Sequence, residues 1–437
     1  MVEFLTLFVG LVIGVHDVAV TVSEPVARVE IRRDGEVLTT LEGEPWRATC
    51  DLGRELRPAR LEAVAFDREG REIGRDLQWL NLPGERARAS IVALRDEANR
   101  VVAAQLTWSS PELVRPRRIE VELDGEPLRV RPPYRIELGR IPRDTVHVLT
   151  ADFDFGSGVV VRRELIFGGD FSGDLDSGLT AVAVRLGDVD ELPAPETMAG
   201  WFTSGGETLR VAGSERPEAR VVVVRDPTVV LRLADMTPEL ERRRKRAARN
   251  DGRRRDLDAF DEDVELRLLS PEPVASSGRE GAPLLFPYSE DPAPGPDGVV
   301  AAAVEHAPAS LLGGPLMMAD AVAMAGLRAA EGNRRRAVVV LLGSRREDGS
   351  RFPPEVARRY LADLRVHLEV WDLSGPAAEP LPGWGEARPV DTVDDLVRAV
   401  RRLQNALDDQ RIVWLAGRRL PQEITLSPEA KGIALVE

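Results

Sequence analysis

Through the first 170 residues, apolar and polar positions alternate with a period of two. Residues 28–38 read RVEIRRDGEVL and residues 118–128 read RIEVELDGEPL. In each, an alternating strand runs into an Asp-Gly pair (Asp34-Gly35, Asp124-Gly125), which favours the positive φ angles of a tight hairpin turn. The likeness continues downstream. Pro45-Trp46-Arg47 answers Pro133-Tyr134-Arg135, Asp51-Leu52-Gly53 answers Glu137-Leu138-Gly139, and Ala65-Phe66-Asp67 answers Asp152-Phe153-Asp154. Upstream, HDVAVTVSEPV (16–26) is answered by RVVAAQLTWSSPELV (100–114). This is an internal repeat of about 85 to 90 residues. Short strands separated by turn signals predict two all-β sandwiches, residues 1–83 and 84–170, with Trp46, Tyr134, Phe66 and Phe153 in their cores.

Residues 171–218 hold strand-like runs, LTAVAVRL (179–186) and WFTSGGETLRVAG (201–213), and read either as a β extension or as a connecting ribbon. From residue 219 the period changes. ARVVVVRD (219–226), VELRLLS (264–270), RAVVVLLG (336–343), VHLEVWDL (366–373) and RIVWLAG (411–417) are short apolar runs, suited to strands buried on both faces of a mostly parallel sheet. Helical patterns lie between them. One is predicted to start at Thr237-Pro238 and others to cover 317–331 and 353–364. A last one is capped by Thr392 with Asp395 and striped by Val393, Leu396, Val397, Val400, Leu403 and Leu407. The expected fold is therefore two tandem β-sandwiches, which resemble immunoglobulin-like (Ig-like) domains without the disulfide of antibody domains, followed by a doubly wound, Rossmann-like α/β domain over 219–437.

Composition narrows the classes of function. Of the 437 residues, 43% are apolar, enough for several cores. The net charge of −14 argues against general affinity for nucleic acid or anionic membranes. Cys50 is the only cysteine, so neither an intrachain disulfide nor a cysteine-built zinc site is available. The apolar run FLTLFVGLVIGV (4–15) has Glu3 before it, no basic flank until Arg28 and no small-residue cleavage motif. It is too short to span a bilayer and reads as a first strand and turn.

The stretches 319–343 and 351–373, helix then strand in each case, resemble the central part of a von Willebrand factor A-type domain. The nearest group is the bacterial VWFA-related proteins, many of them exported with sandwich modules ahead of the A-type domain. That resemblance implies an extracytoplasmic scaffold or protein-binding role. It also implies a metal-ion-dependent adhesion site at the carboxyl ends of the strands: Asp and two hydroxyls in D-x-S-x-S, a Thr from a second loop and an Asp from a third, all hard oxygen ligands. This chain departs from that set. Asp226 and Thr228 remain in the first loop, but Val230 stands in place of the second hydroxyl. The second loop reads Gly313-Gly314-Pro315, and the third Leu342-Gly343-Ser344, with Glu347 and Asp348 beyond it. The candidate binding residues are thus Asp226, Thr228, Gly314 and Ser344, in a vestigial site with at most a weak divalent cation at Asp226 and Thr228.

No dinucleotide fingerprint, P-loop, nucleophile elbow or zinc-protease pattern occurs, and His16, His147, His306 and His367 lack metal-ligand spacing. The expectation is a non-catalytic protein that binds another protein, without cofactor or metal. Two alternatives stay open. One is a hydrolase using an unidentified carboxylate pair. The other is polyanion docking through RRRKRAARNDGRRR (242–255), where nine of fourteen residues are Lys or Arg.

Overall fold

A computed structural model of the chain describes residues 2–22, 26–83, 88–95, 101–109, 115–138, 147–156, 159–167, 179–187, 189, 191–251, 263–275, 284–289, 316–344, 348–375 and 382–437. These form a mostly β protein with several antiparallel sheets and one five-stranded parallel sheet flanked by helices. The chain divides into two compact units, residues 1–83 with 178–437, and residues 84–177.

The repeat in sequence is a repeat in strand order. In the first copy, Glu36–Leu41, Arg28–Arg33, Ala59–Phe66 and Glu72–Leu80 lie side by side. In the second, Glu126–Leu128, Arg118–Leu123, His147–Gly156 and Val159–Phe167 follow the same order. Both Asp-Gly pairs adopt positive φ, 50° and 89° in the first copy and 52° and 83° in the second. Asp34 then receives the Arg60 amide and the Arg57 guanidinium. Asp124 receives the Val148 amide at 2.9 Å and faces His147 Nδ1 at 2.7 Å. Each turn is pinned to the start of the strand that pairs beside the hairpin in the sheet.

A second sheet closes each sandwich. In the first copy, Val18, Val20 and Cys50 meet Ile31, Leu61 and Ala63. In the second, Ala104 and Leu106 meet Leu149, Ala151 and Phe153. Phe153 is fully buried, whereas Trp46 and Tyr134 cover core edges.

The parallel sheet runs Val264–Leu269, Ala219–Arg225, Arg335–Leu342, His367–Asp372 and Arg388–Pro389, in that spatial order. Its central strands bury both faces, which is why their sequences show no polar alternation. Val221, Val223, Val339 and Leu341 point to one side, against helices α1 (Val229–Asp251) and α4 (Val393–Asp408). Val222, Val224, Val338 and Val340 point to the other, against α2 (Met318–Ala329) and α3 (Pro354–Asp363). Helices on both faces of parallel strands make this a doubly wound unit. A bridge between Leu269 and Tyr288 adds a brief antiparallel contact outside the Val264–Leu269 strand.

Three expectations change. Helix α1 begins at Val229 and runs through Pro238 instead of starting there. Burial of Val229, Leu233 and Met236 at helical spacing outweighs the proline's missing donor, and the Thr237 hydroxyl bonds the Leu233 carbonyl. Residues 410–416 do not join the parallel sheet. They pair antiparallel with Leu179–Leu186 and with Val211–Glu215, so part of the 171–218 segment combines with this strand in a separate sheet. The apolar run 4–15 supplies one short strand, Val2–Phe4, and then a strap. Leu11 and Ile13 of that strap pack beside Leu56 and Leu82 on the α2–α3 side of the α/β layers.

Candidate functional site

In an open doubly wound sheet, ligands meet the crevice outside the carboxyl ends of the strands where the winding direction reverses. Here that point lies between Ala219–Arg225 and Arg335–Leu342. The first strand leads directly into Asp226, Pro227 and Thr228, and the second into Gly343 and Ser344. The fold therefore brings three of the four sequence candidates, Asp226, Thr228 and Ser344, to one edge. The fourth, Gly314, lies outside the described residues, as do Gly313, Pro315 and Glu347.

The three residues are bonded to one another. Asp226 is 1% exposed, and its Oδ1 accepts the Thr228 amide at 2.8 Å and the Thr228 hydroxyl at 2.8 Å. An Asp accepting an amide two residues on is a helix-starting cap, and α1 begins at the next residue, Val229. The Thr228 hydroxyl in turn accepts the Ser344 amide at 3.0 Å. Asp226's own amide donates to the Leu341 carbonyl at 2.9 Å. Loop one and loop three are stitched together through one side-chain oxygen.

Gly343 explains how they come so close. A Cβ at this position would stand 2.1 Å from Thr228 Oγ1 and 2.8 Å from Asp226 Oδ2. Backbone thus lies against the very oxygens that would have to face an ion. A Mg²⁺ needs nearly octahedral oxygen geometry with several waters. These residues do not fit it: the first-loop carboxylate is buried, its neighbour hydroxyl has both its donor and an acceptor position engaged, and position 230 offers only Val230.

No protein-family model matches this chain, and no curated protein does. Among solved structures it is similar to the fibronectin(III)-like modules of Clostridium thermocellum CbhA, at 17% identity and TM-score 0.17, over 18% of this chain and 93% of that one. It is also similar to the central fibronectin-III array of RIM-binding protein, at 13% identity and TM-score 0.21, over 44% of this chain and 80% of that one. A third likeness, to Parabacteroides merdae β-glucuronidase, has 14% identity and TM-score 0.15 and covers 38% of this chain but 24% of the enzyme. The sandwich and sheet assignments rest on the strand pairing described above.

Other acids at this edge also serve the backbone. Asp348 accepts the Met318 and Ala319 amides, capping α2 from a distant loop, and binds Ser350. Asp320, fully buried in α2, accepts Arg351 Nε at 2.7 Å and the amides of Arg351 and Phe352. Asp372 accepts the Ser374 amide and hydroxyl. Sequence reading did not assign these roles, because each acid is distant in sequence from its partner or sits in a loop that spacing alone does not place. Among the described residues no group of three or more His, Cys, Asp or Glu side chains is arranged to hold a metal. Burial lowers the pKa of the Arg225 guanidinium beside this edge, opposed by the charge of Glu272. The rim exposes Leu231, at 76%, followed by Arg232, which reaches Asp391 at 3.3 Å.

Proposed function

We propose that this chain is a non-catalytic, protein-binding scaffold. In this reading its α/β layers are a von Willebrand factor A-type domain carried with immunoglobulin-like sandwiches. Its adhesion edge is vestigial and engages a partner by surface contact, without a metal. The observation that carries the reading is the bond chain from Asp226 through Thr228 to Ser344, which turns the ancestral ligand positions into a helix cap and a loop clamp. The doubly wound sheet with its switch point at Asp226 supports it, as does the brief antiparallel contact at Tyr288 beyond the outer strand. Contact chemistry remains at the rim in Leu231, a large apolar side chain held out into solvent on the first turn of α1.

The test is affinity capture with the full chain, run in parallel with Mg²⁺ and with EDTA, using wild type and Leu231→Asp. The expected result is a partner retained in EDTA and lost with Leu231→Asp. A partner that needs Mg²⁺ overturns the vestigial reading. One indifferent to Leu231→Asp removes the rim from the proposal.

A further inference from the structure

Helix α1 has two faces of opposite character. Val229, Leu233, Met236 and Leu240 recur at helical spacing and are buried against the sheet. At about 100° per residue, positions 242, 245 and 246 fall on the opposite side. Arg242, Lys245 and Arg246 are exposed there. Arg243, turned back toward the domain, forms ion pairs with Glu239 and with Asp394 on α4. Those contacts hold its guanidinium above its ordinary pKa. Lys245 meets Glu241 at 3.7 Å, both well exposed, a contact of little strength. Beyond Leu240, no residue of this helix is buried among those described. Core packing therefore does not account for Arg242, Lys245 and Arg246. A helix C-terminus favours basic residues, but that preference fades within one turn. The basic run covers nine of fourteen positions.

We propose that the outward face of α1, from Arg242 to Arg246, is a docking surface for a short acidic polypeptide segment. Over the described residues the face is about 6 Å long at 1.5 Å per residue. An extended run of about two Asp or Glu residues, at about 3.3 to 3.6 Å each, ends within it. A nucleic-acid duplex or a bilayer does not. Either would carry dense negative charge well past the patch, within a Debye length of about 8 to 10 Å of a protein whose net charge is −14. This half of the helix also lacks the apolar stripe that a membrane-surface helix buries and the aromatic rings on which bases stack. The inference is independent of the sheet-edge reading, since none of its residues belongs to that edge.

The experiment is fluorescence anisotropy with the full chain and a labelled octaglutamate peptide at 50 and 300 mM NaCl. A 20-base-pair duplex and phosphatidylserine vesicles are run alongside. The expected result is saturable peptide binding at low salt, weakened about tenfold by the higher salt and about tenfold by Arg242→Gln/Lys245→Gln/Arg246→Gln. The charge-conserving Arg242→Lys/Arg246→Lys variant is expected to keep binding. Absence of peptide binding at 50 mM salt overturns the proposal, and so does a Gln variant with wild-type affinity and an unchanged Tm. Tighter binding of the duplex or the vesicles than of the peptide overturns the choice of an acidic polypeptide.

Discussion

The Tyr360 hydroxyl, on α3, donates a 2.7 Å hydrogen bond to the backbone carbonyl of Asn81, where the first sandwich ends. Tyr360 is fully buried, and burial pushes its phenol well above the ordinary tyrosine pKa. The bond ties the sandwich to the α/β layers within one unit, beside Leu56 and Leu82. Tyr360→Phe keeps the ring and leaves the Asn81 carbonyl without this donor. The expected loss is about 1 to 2 kcal/mol in urea unfolding of the full chain, with an unchanged slope. A variant as stable as wild type would mean that the carbonyl finds another donor.

Asn81 itself holds the strap made by the apolar run 4–15. Its side chain accepts the Val12 amide at 2.6 Å and donates to the Val12 and Arg57 carbonyls. Gln78 does the same one turn of the strap earlier, accepting the Phe8 amide and donating to the Thr6 carbonyl. Asn81 also sits at φ 55°, a left-handed conformation that Asn tolerates better than Ala. Asn81→Ala is therefore expected to lose about 2 to 4 kcal/mol, from two buried bonds, a part-buried one and an unfavourable backbone. Hydrogen exchange at Val12 checks the mechanism: its amide should lose protection before the strands of the sandwich do.

How much of this was legible in the sequence depends on the range of the interaction. Asp34-Gly35 and Thr392 with Asp395 act on their own neighbours, and turn and capping box both form where spacing places them. The central strands announced themselves because burial on both faces leaves only apolar side chains. The strand at 410–416 has that same composition, yet its partners are 179–186 and 211–215, which hydrophobic pattern alone cannot select. At the candidate site, Asp226 and Thr228 were legible as residues, but their bonds were not. The deciding neighbour is Gly343, more than a hundred residues away, whose missing side chain lets two loops touch. Asp348 went unassigned for the same reason: it caps a helix that begins thirty residues earlier.

Acid sensitivity should centre on Glu265. Burial raises its pKa, but the hydrogen bond from Arg267 and the charges of Arg220 and Arg267 outweigh that and hold it below the ordinary value. Arg334 adds a contact at 2.6 Å. A carboxylate with a depressed folded-state pKa contributes stability that is fully present above its unfolded value, about 4.3, and is lost as pH falls through the lower folded value. Glu265→Gln is thus expected to lower stability at pH 7 and to flatten the decline below about pH 4.3. Parallel slopes for variant and wild type on urea midpoints from pH 7 to 3 would assign the acid limb to other carboxylates.

The sharpest contrast between a cap and a metal site is in the response to Mg²⁺. If Asp226 and Thr228 held the ion with a Kd of 0.1 mM, 10 mM Mg²⁺ would stabilise the chain by about 2.7 kcal/mol through mass action. The bonding at the sheet edge gives instead no shift in Tm beyond that of an ionic-strength control. Thr228→Val should then destabilise equally with and without Mg²⁺, by about 1 to 3 kcal/mol, because the Ser344 amide and Asp226 carboxylate each lose a partner. Gly343→Ala should also destabilise in either condition, since its new methyl meets Thr228 and Asp226 far inside contact distance. A Mg²⁺-dependent gain in wild type that disappears with Asp226→Ala would return this edge to cation binding and leave the cap as the state it adopts without the ion.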